Sequence, residues 1–124
     1  MIKGFQCKIG TTTINHIVDD DPGTSYMDQE GFEELKEKYR NEEFCFIGIK
    51  VTTEILTSLD YGKNWLINHI TSGGLWGIES NSDDAYKKEV ALEEMAELRT
   101  TLVGMGFSET EIKKSFDSSV VKEN

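Results

Sequence analysis

Cys7, Cys45, His16 and His69 are all the cysteines and histidines in this 124-residue chain, and they lie far apart in sequence. Structural zinc sites present their ligands in pairs on tight knuckles, so this spacing points to no metal centre. Hard oxygen donors fare no better. Asp19, Asp20, Asp21 and Asp28 lack the alternating spacing of a calcium loop, and in Glu79 to Asp84 an aspartate stands where the turn glycine belongs. Nucleophilic catalysis would need Cys45 or a serine beside His16 or His69. Cys45 falls inside an apolar strand pattern with no neighbouring cation to activate its thiol, and no G-x-S-x-G elbow is present. The expectation is no catalytic residue, no metal, no cofactor and no enzymatic activity.

The run Ser72-Gly73-Gly74-Leu75-Trp76-Gly77 resembles a phosphate cradle only at first sight. Such loops lead straight into a helix N-terminus, whereas here Ile78 to Ser82 intervene and the next side chains are Asp83 and Asp84, which repel phosphate. Between Glu79 and Leu98 stand Glu79, Asp83, Asp84, Glu89, Glu93, Glu94 and Glu97, against Lys87 and Lys88. Glu89, Glu93 and Glu97 recur every fourth residue, an advance of about 6 Å per step on a helix, and lie away from the Met95/Leu98/Leu102 stripe. Like charges at that spacing cost helix stability. The row reads either as a solvated face or as an imitation of a phosphate row that occupies a basic channel. Trp76, beside the glycines, is the candidate anchor if it is exposed and a core residue if it is not. The candidate partner-binding residues are therefore Trp76, Glu79, Asp83, Asp84, Glu89, Glu93 and Glu97.

These residues must be positioned by a small scaffold. The length suits one domain, 1–124, large enough to bury most of its unfolded surface without staples. The formal net charge of -10 disfavours direct contact with nucleic acid or an anionic bilayer and suits a basic protein partner. The first ten residues do not read as a secretory signal, and no segment reaches the ~20 apolar residues of a membrane span, so a cytoplasmic protein with reduced thiols is expected.

The patterning implies an α+β fold, with a small meander-like antiparallel sheet of about three to five strands packed by two or three helices. Residues 1–18 suit one or two short strands. Asp19-Asp20-Asp21-Pro22-Gly23 is the clearest break. A short helix falls within 28–41, with Phe32, Leu35 and Tyr39 at helical spacing and a favourable Glu34–Lys38 pair. The meander spans 44–78. In it Cys45, Ile47, Ile49, Val51, Thr53 and Ile55 alternate onto a buried face, Ser58 to Asn64 form a hairpin loop, and Ser72-Gly73-Gly74 turn the chain into a further strand. A long acidic helix follows over 82–103, capped by Ser80 or Ser82. Its stripe is Ala91, Met95, Leu98 and Leu102, widened by Val90, Leu92 and Val103. Ser108 and Glu111 make a capping box, and Phe107 and Ile112 a hydrophobic staple, for a last helix over 108–118, beyond which the tail frays.

From Asp19 onward the chain resembles a group of small, largely uncharacterised proteins of bacteriophages, plasmids and integrated elements. The matching pieces are Asp21-Pro22 with Ser25-Tyr26, FEELKEKYRNEEFCFIGIKVTTEI, and above all the TSGGLWGIES block with the acidic helix after it. The resemblance implies a mobile-element setting in a bacterial host and transfers no catalytic residue. Together with the acidic row it leads to the expectation of a stoichiometric inhibitor of a host defence protein, of anti-CRISPR or anti-restriction type. Its partner would be a basic nucleic-acid-binding protein. The alternatives are an accessory protein acting on replication or transcription through protein contacts, and a small enzyme or ligand-binding protein using the sheet face near His69 and Trp76.

Overall fold

The fold, seen in a computed structural model that describes residues 3–20 and 22–123, is α+β. Asp21 of the acidic break lies outside the described residues. In chain order the elements are β1 (Gln6–Val18), a 3-10 turn (Ser25–Asp28), α1 (Glu33–Arg40), β2 (Phe46–Ser58), β3 (Leu66–Thr71), β4 (Leu75–Glu79), α2 (Asp84–Gly104), α3 (Glu109–Asp117) and β5 (Val120–Glu123).

β2 is the central strand, and its strict alternation explains why. Ile47, Ile49, Val51, Thr53 and Ile55 are all buried beneath the helices. One core cluster joins Ile47, Ile49 and Ile78 to Val90 and Ala91 of α2. A second joins Val51 and Ile55 to Leu98, Leu102 and Ile112. Complete burial of each large aliphatic side chain here contributes on the order of 2 kcal/mol. The other face of β2 has a smaller core at its start. There Met27, Phe44 and Phe46 are covered by Tyr26, Phe32, Leu35 and Tyr39, which is how the short α1 is held. The Glu34–Lys38 pair forms on its outside.

One edge of β2 pairs with β1 over eleven residue pairs, so the N-terminal region is one long strand, not two short ones. Its β-branched residues carry it through a bulge where the residues between Ile9 and Thr12 exceed those between Ile55 and Thr53 by one. The opposite edge of β2 pairs antiparallel first with β4 and then with β3. β3 and β4 therefore run in the same direction, and Ser72-Gly73-Gly74 is no reversing turn. Thr52 faces Thr71 and Ile49 faces Leu75, one extra residue on the outer strand. Ile47 then faces Ile78, one more. β3 and β4 are one strand interrupted by two bulges, with Gly74 and Gly77 at φ +87° and +79° supplying the left-handed backbone they need.

The C-terminal tail does not fray directly after α3. Val120–Glu123 pairs parallel with β1, which makes the sheet mixed where a purely antiparallel one was expected. A parallel partner needs a crossover, and the α2–α3 pair between β4 and β5 provides it.

The α2 cap and stripe also differ from expectation. Asp83, not Ser80 or Ser82, is the N-cap, accepting from the Tyr86 N–H at 2.8 Å. Ser80 instead extends the sheet ladder. Its N–H donates to the Cys45 carbonyl at 2.7 Å, and its Oγ accepts from the Cys45 N–H at 2.9 Å. Leu92 and Val103 do not widen the buried stripe. They are 57% and 42% exposed, and the place beside Val90, Ala91 and Leu98 belongs to Glu94. At α3, Ser108 accepts from the Glu111 N–H, but the Glu111 carboxylate turns away to the Ile9 N–H of β1 at 3.1 Å.

Candidate functional site

The bulges explain part of the acidity. A bulge frees backbone N–H groups from the ladder, and each needs an acceptor. Gly74 N–H donates to Glu94 Oε1 at 2.6 Å and Gly73 N–H to Glu97 Oε1 at 3.2 Å. In the β1 bulge, Thr11 N–H donates to Glu54 Oε1 at 3.1 Å. Ser72 completes the repair, its Oγ accepting from Val51 N–H at 3.0 Å. Glu94, only 8% exposed, is thus a pin between α2 and the outer strand.

This arrangement redistributes the candidate residues. At about 100° per residue, Glu97, Glu93 and Glu89 step about 40° apart around α2. Glu97 lies down on the glycine bulge, while Glu93 and Glu89 rotate progressively into solvent, both exposed. Neither Glu89 nor Glu93 forms an ion pair or hydrogen bond among the described residues. Asp83 serves as the cap, and Asp84 turns to the opposite flank of α2, lining a cavity with His16 and Lys87. One residue on the acidic flank escaped the sequence argument. Tyr86, 44% exposed, stands three residues before Glu89 and seven before Glu93. Its spacing was visible in the sequence, but Tyr at the first turn of a helix gives no distinguishing signal.

Trp76 and Glu79 are on the other side of the sheet. Trp76 lies flat over Gly48, where an added Cβ would come within 2.3 Å of the indole ring. Lys50 Nζ sits 5.4 Å from the ring centroid, and the residue remains 42% exposed. Glu79 pairs with Phe46 and faces the aromatic cluster, where burial first and the nearby Glu79 charge second push the Tyr26 hydroxyl up from its usual range. Trp76 therefore does not join the acidic row in one patch. It shares its sheet face with His69, which stands opposite Glu54 in a shallow surface with Thr13, Asn15 and Thr52.

The remaining chemistry-bearing residues do not converge. Cys7 is exposed, Cys45 is half-buried against the first core cluster, and His16 Nδ1 lies 3.6 Å from Glu123 Oε1. Among the described residues no three His, Cys, Asp or Glu side chains are grouped to hold a metal ion, and no helix is long and apolar enough to cross a membrane. No protein family, curated protein or solved structure matches this chain.

Proposed function

We propose that this protein is a stoichiometric binding protein that docks on a basic, nucleic-acid-handling surface of a partner through the outer flank of α2. Tyr86, Glu89 and Glu93 form the contact, with Tyr86 as the amphipathic anchor and the two carboxylates as the negative row. The observation that carries this reading is the unpaired Glu89–Glu93 row on a helix pinned to the sheet through Glu94 and Glu97. Pinning matters because a row that is already rigid loses little conformational freedom on binding. The resemblance to proteins of mobile elements favours a partner among host-defence nucleases or effector complexes, of the kind met by anti-CRISPR and anti-restriction proteins.

The reading is tested by capturing partners from a bacterial lysate and challenging the complex with duplex DNA. Release by DNA supports it, since both ligands then compete for one basic channel. A captured partner that still binds DNA while holding this protein would sink the mimic reading.

A further inference from the structure

α2 and α3 leave the turn between them as a V. At the narrow end Arg99 of α2 pairs with Glu109 of α3. Toward the N-terminus of α2 the helices spread, and the space between them is a cleft of about 710 Å³. Ile14 of β1, Ala91 and Ile112 form its floor, with Met95 and Phe116 on the walls. A second cavity of about 330 Å³, reaching Val121 of β5, continues from it and shares Ile14, Lys88 and Ala91. Leu92, 57% exposed, stands on the rim.

Of the charged side chains around this cleft all but Asp84 and Lys88, which stand four residues apart on α2, are engaged. Arg99 pairs with Glu109, Lys113 with Asp117, His16 lies near Glu123, and Lys87 Nζ donates to the Ser80 carbonyl. Lys88 alone among the lining bases has no hydrogen bond or ion pair with the described residues, and it stands where the two cavities meet. An apolar wedge closed at one end, with a free ammonium at its mouth, complements a single apolar chain ending in an anion. From Lys88 to Arg99 the cleft runs about 16 Å along α2, a length that suits a medium saturated chain.

We propose that the cleft between α2 and α3 binds a free, single-chain amphipathic carboxylate, its chain between Met95 and Phe116 and its carboxylate at Lys88. This site is separate from the acidic flank of α2, so either reading can fail without the other.

The test is titration of the full protein with sodium decanoate below its micelle concentration, followed by calorimetry and by methyl NMR of Leu92, Met95 and Ile112. Saturable one-to-one binding with shifts confined to those methyls is expected. Lys88→Gln should weaken decanoate binding about tenfold, the loss of one charge-assisted contact, and leave binding of neutral 1-nonanol unchanged. Ala96→Trp, at an exposed position on the wall, should abolish binding of both while the fold persists by circular dichroism. E89Q/E93Q should bind decanoate as the parent does. The proposal is overturned if no saturable binding occurs, if decyltrimethylammonium binds as tightly as decanoate, or if Lys88→Gln weakens both probes equally.

Discussion

Removing the Glu94 carboxylate should be the costliest single change among the acids of α2, although acids on helices usually serve solubility. In Glu94→Ala the Gly74 N–H loses a 2.6 Å acceptor at a site where the acceptor is only 8% exposed. Hydrogen bonds to charged groups contribute about 1.5–3 kcal/mol, so a loss of about 2 kcal/mol is expected. For a chain of this size that lowers Tm by roughly 8 °C. Glu97→Ala removes a longer, exposed bond of 3.2 Å and should cost about 0.5 kcal/mol. Glu94→Gln keeps an acceptor oxygen and should fall between them. Because the two glutamates hold adjacent amides of one bulge, the double variant should depart from additivity by about 0.5 kcal/mol or more. Urea unfolding gives the free energies, and hydrogen exchange at Gly73 and Gly74 reports the bulge directly. If Glu97→Ala costs as much as Glu94→Ala, or Glu94→Ala costs under about 0.5 kcal/mol, the pinning argument fails.

Two further outcomes follow from local geometry. Gly48→Ala places a Cβ 2.3–2.7 Å from the Trp76 ring, so the indole must leave the sheet. The variant should lose about 1–3 kcal/mol and red-shift part of the tryptophan emission, and unchanged emission would contradict the stacking. In the β2–β3 loop, hydrogen bonds from the Asn64 side chain, the Asn64 backbone and Ser58 hold the Asp60 carboxyl at about 2. A lowered folded-state pKa means that the stabilisation is present above the unfolded carboxyl's range and fades as pH falls through about 2. Carboxyl NMR should show that low midpoint, rising in Asn64→Ala. A normal carboxylate midpoint in the parent would refute the bonding scheme.

How far the sequence reached is clearest along β2. The alternation from Cys45 to Ile55 is local, and it located the central strand and its buried face. The Ser58–Asn64 loop and the Ser108 cap are equally local, and each appears in the structure. The bulges are not local. Whether Gly73-Gly74 reverses the chain or swells a strand depends on which residues of β2 lie opposite, a register set upstream at Ile49 to Thr52. The same limit misplaced Ser80, whose hydroxyl serves the sheet, and Glu111, whose carboxylate reaches β1 instead of closing its own capping box. Trp76 and the acidic helix are neighbours in sequence, yet the bulge at Gly77 breaks the alternation between Trp76 and Ile78 and leaves the tryptophan on the face away from α2. Charge counting could not separate Glu94 and Glu97, engaged by the backbone, from Glu89 and Glu93. The β5 strand carried only Val120 and Val121 as signal, too few to distinguish an edge strand from a tail.

The most direct measurement of the proposed function is the salt dependence of partner capture by the parent and by E89Q/E93Q. The two proteins should share one fold, since neither side chain makes a hydrogen bond or ion pair with another described residue. Parent capture should weaken steeply between about 0.05 and 0.3 M salt, as the Debye length falls through about 10 Å. The double variant should capture about tenfold less at low salt and show a shallower slope, the loss of two interfacial charges. Equal capture by parent and variant across that range would contradict the assignment of the α2 flank as the binding surface.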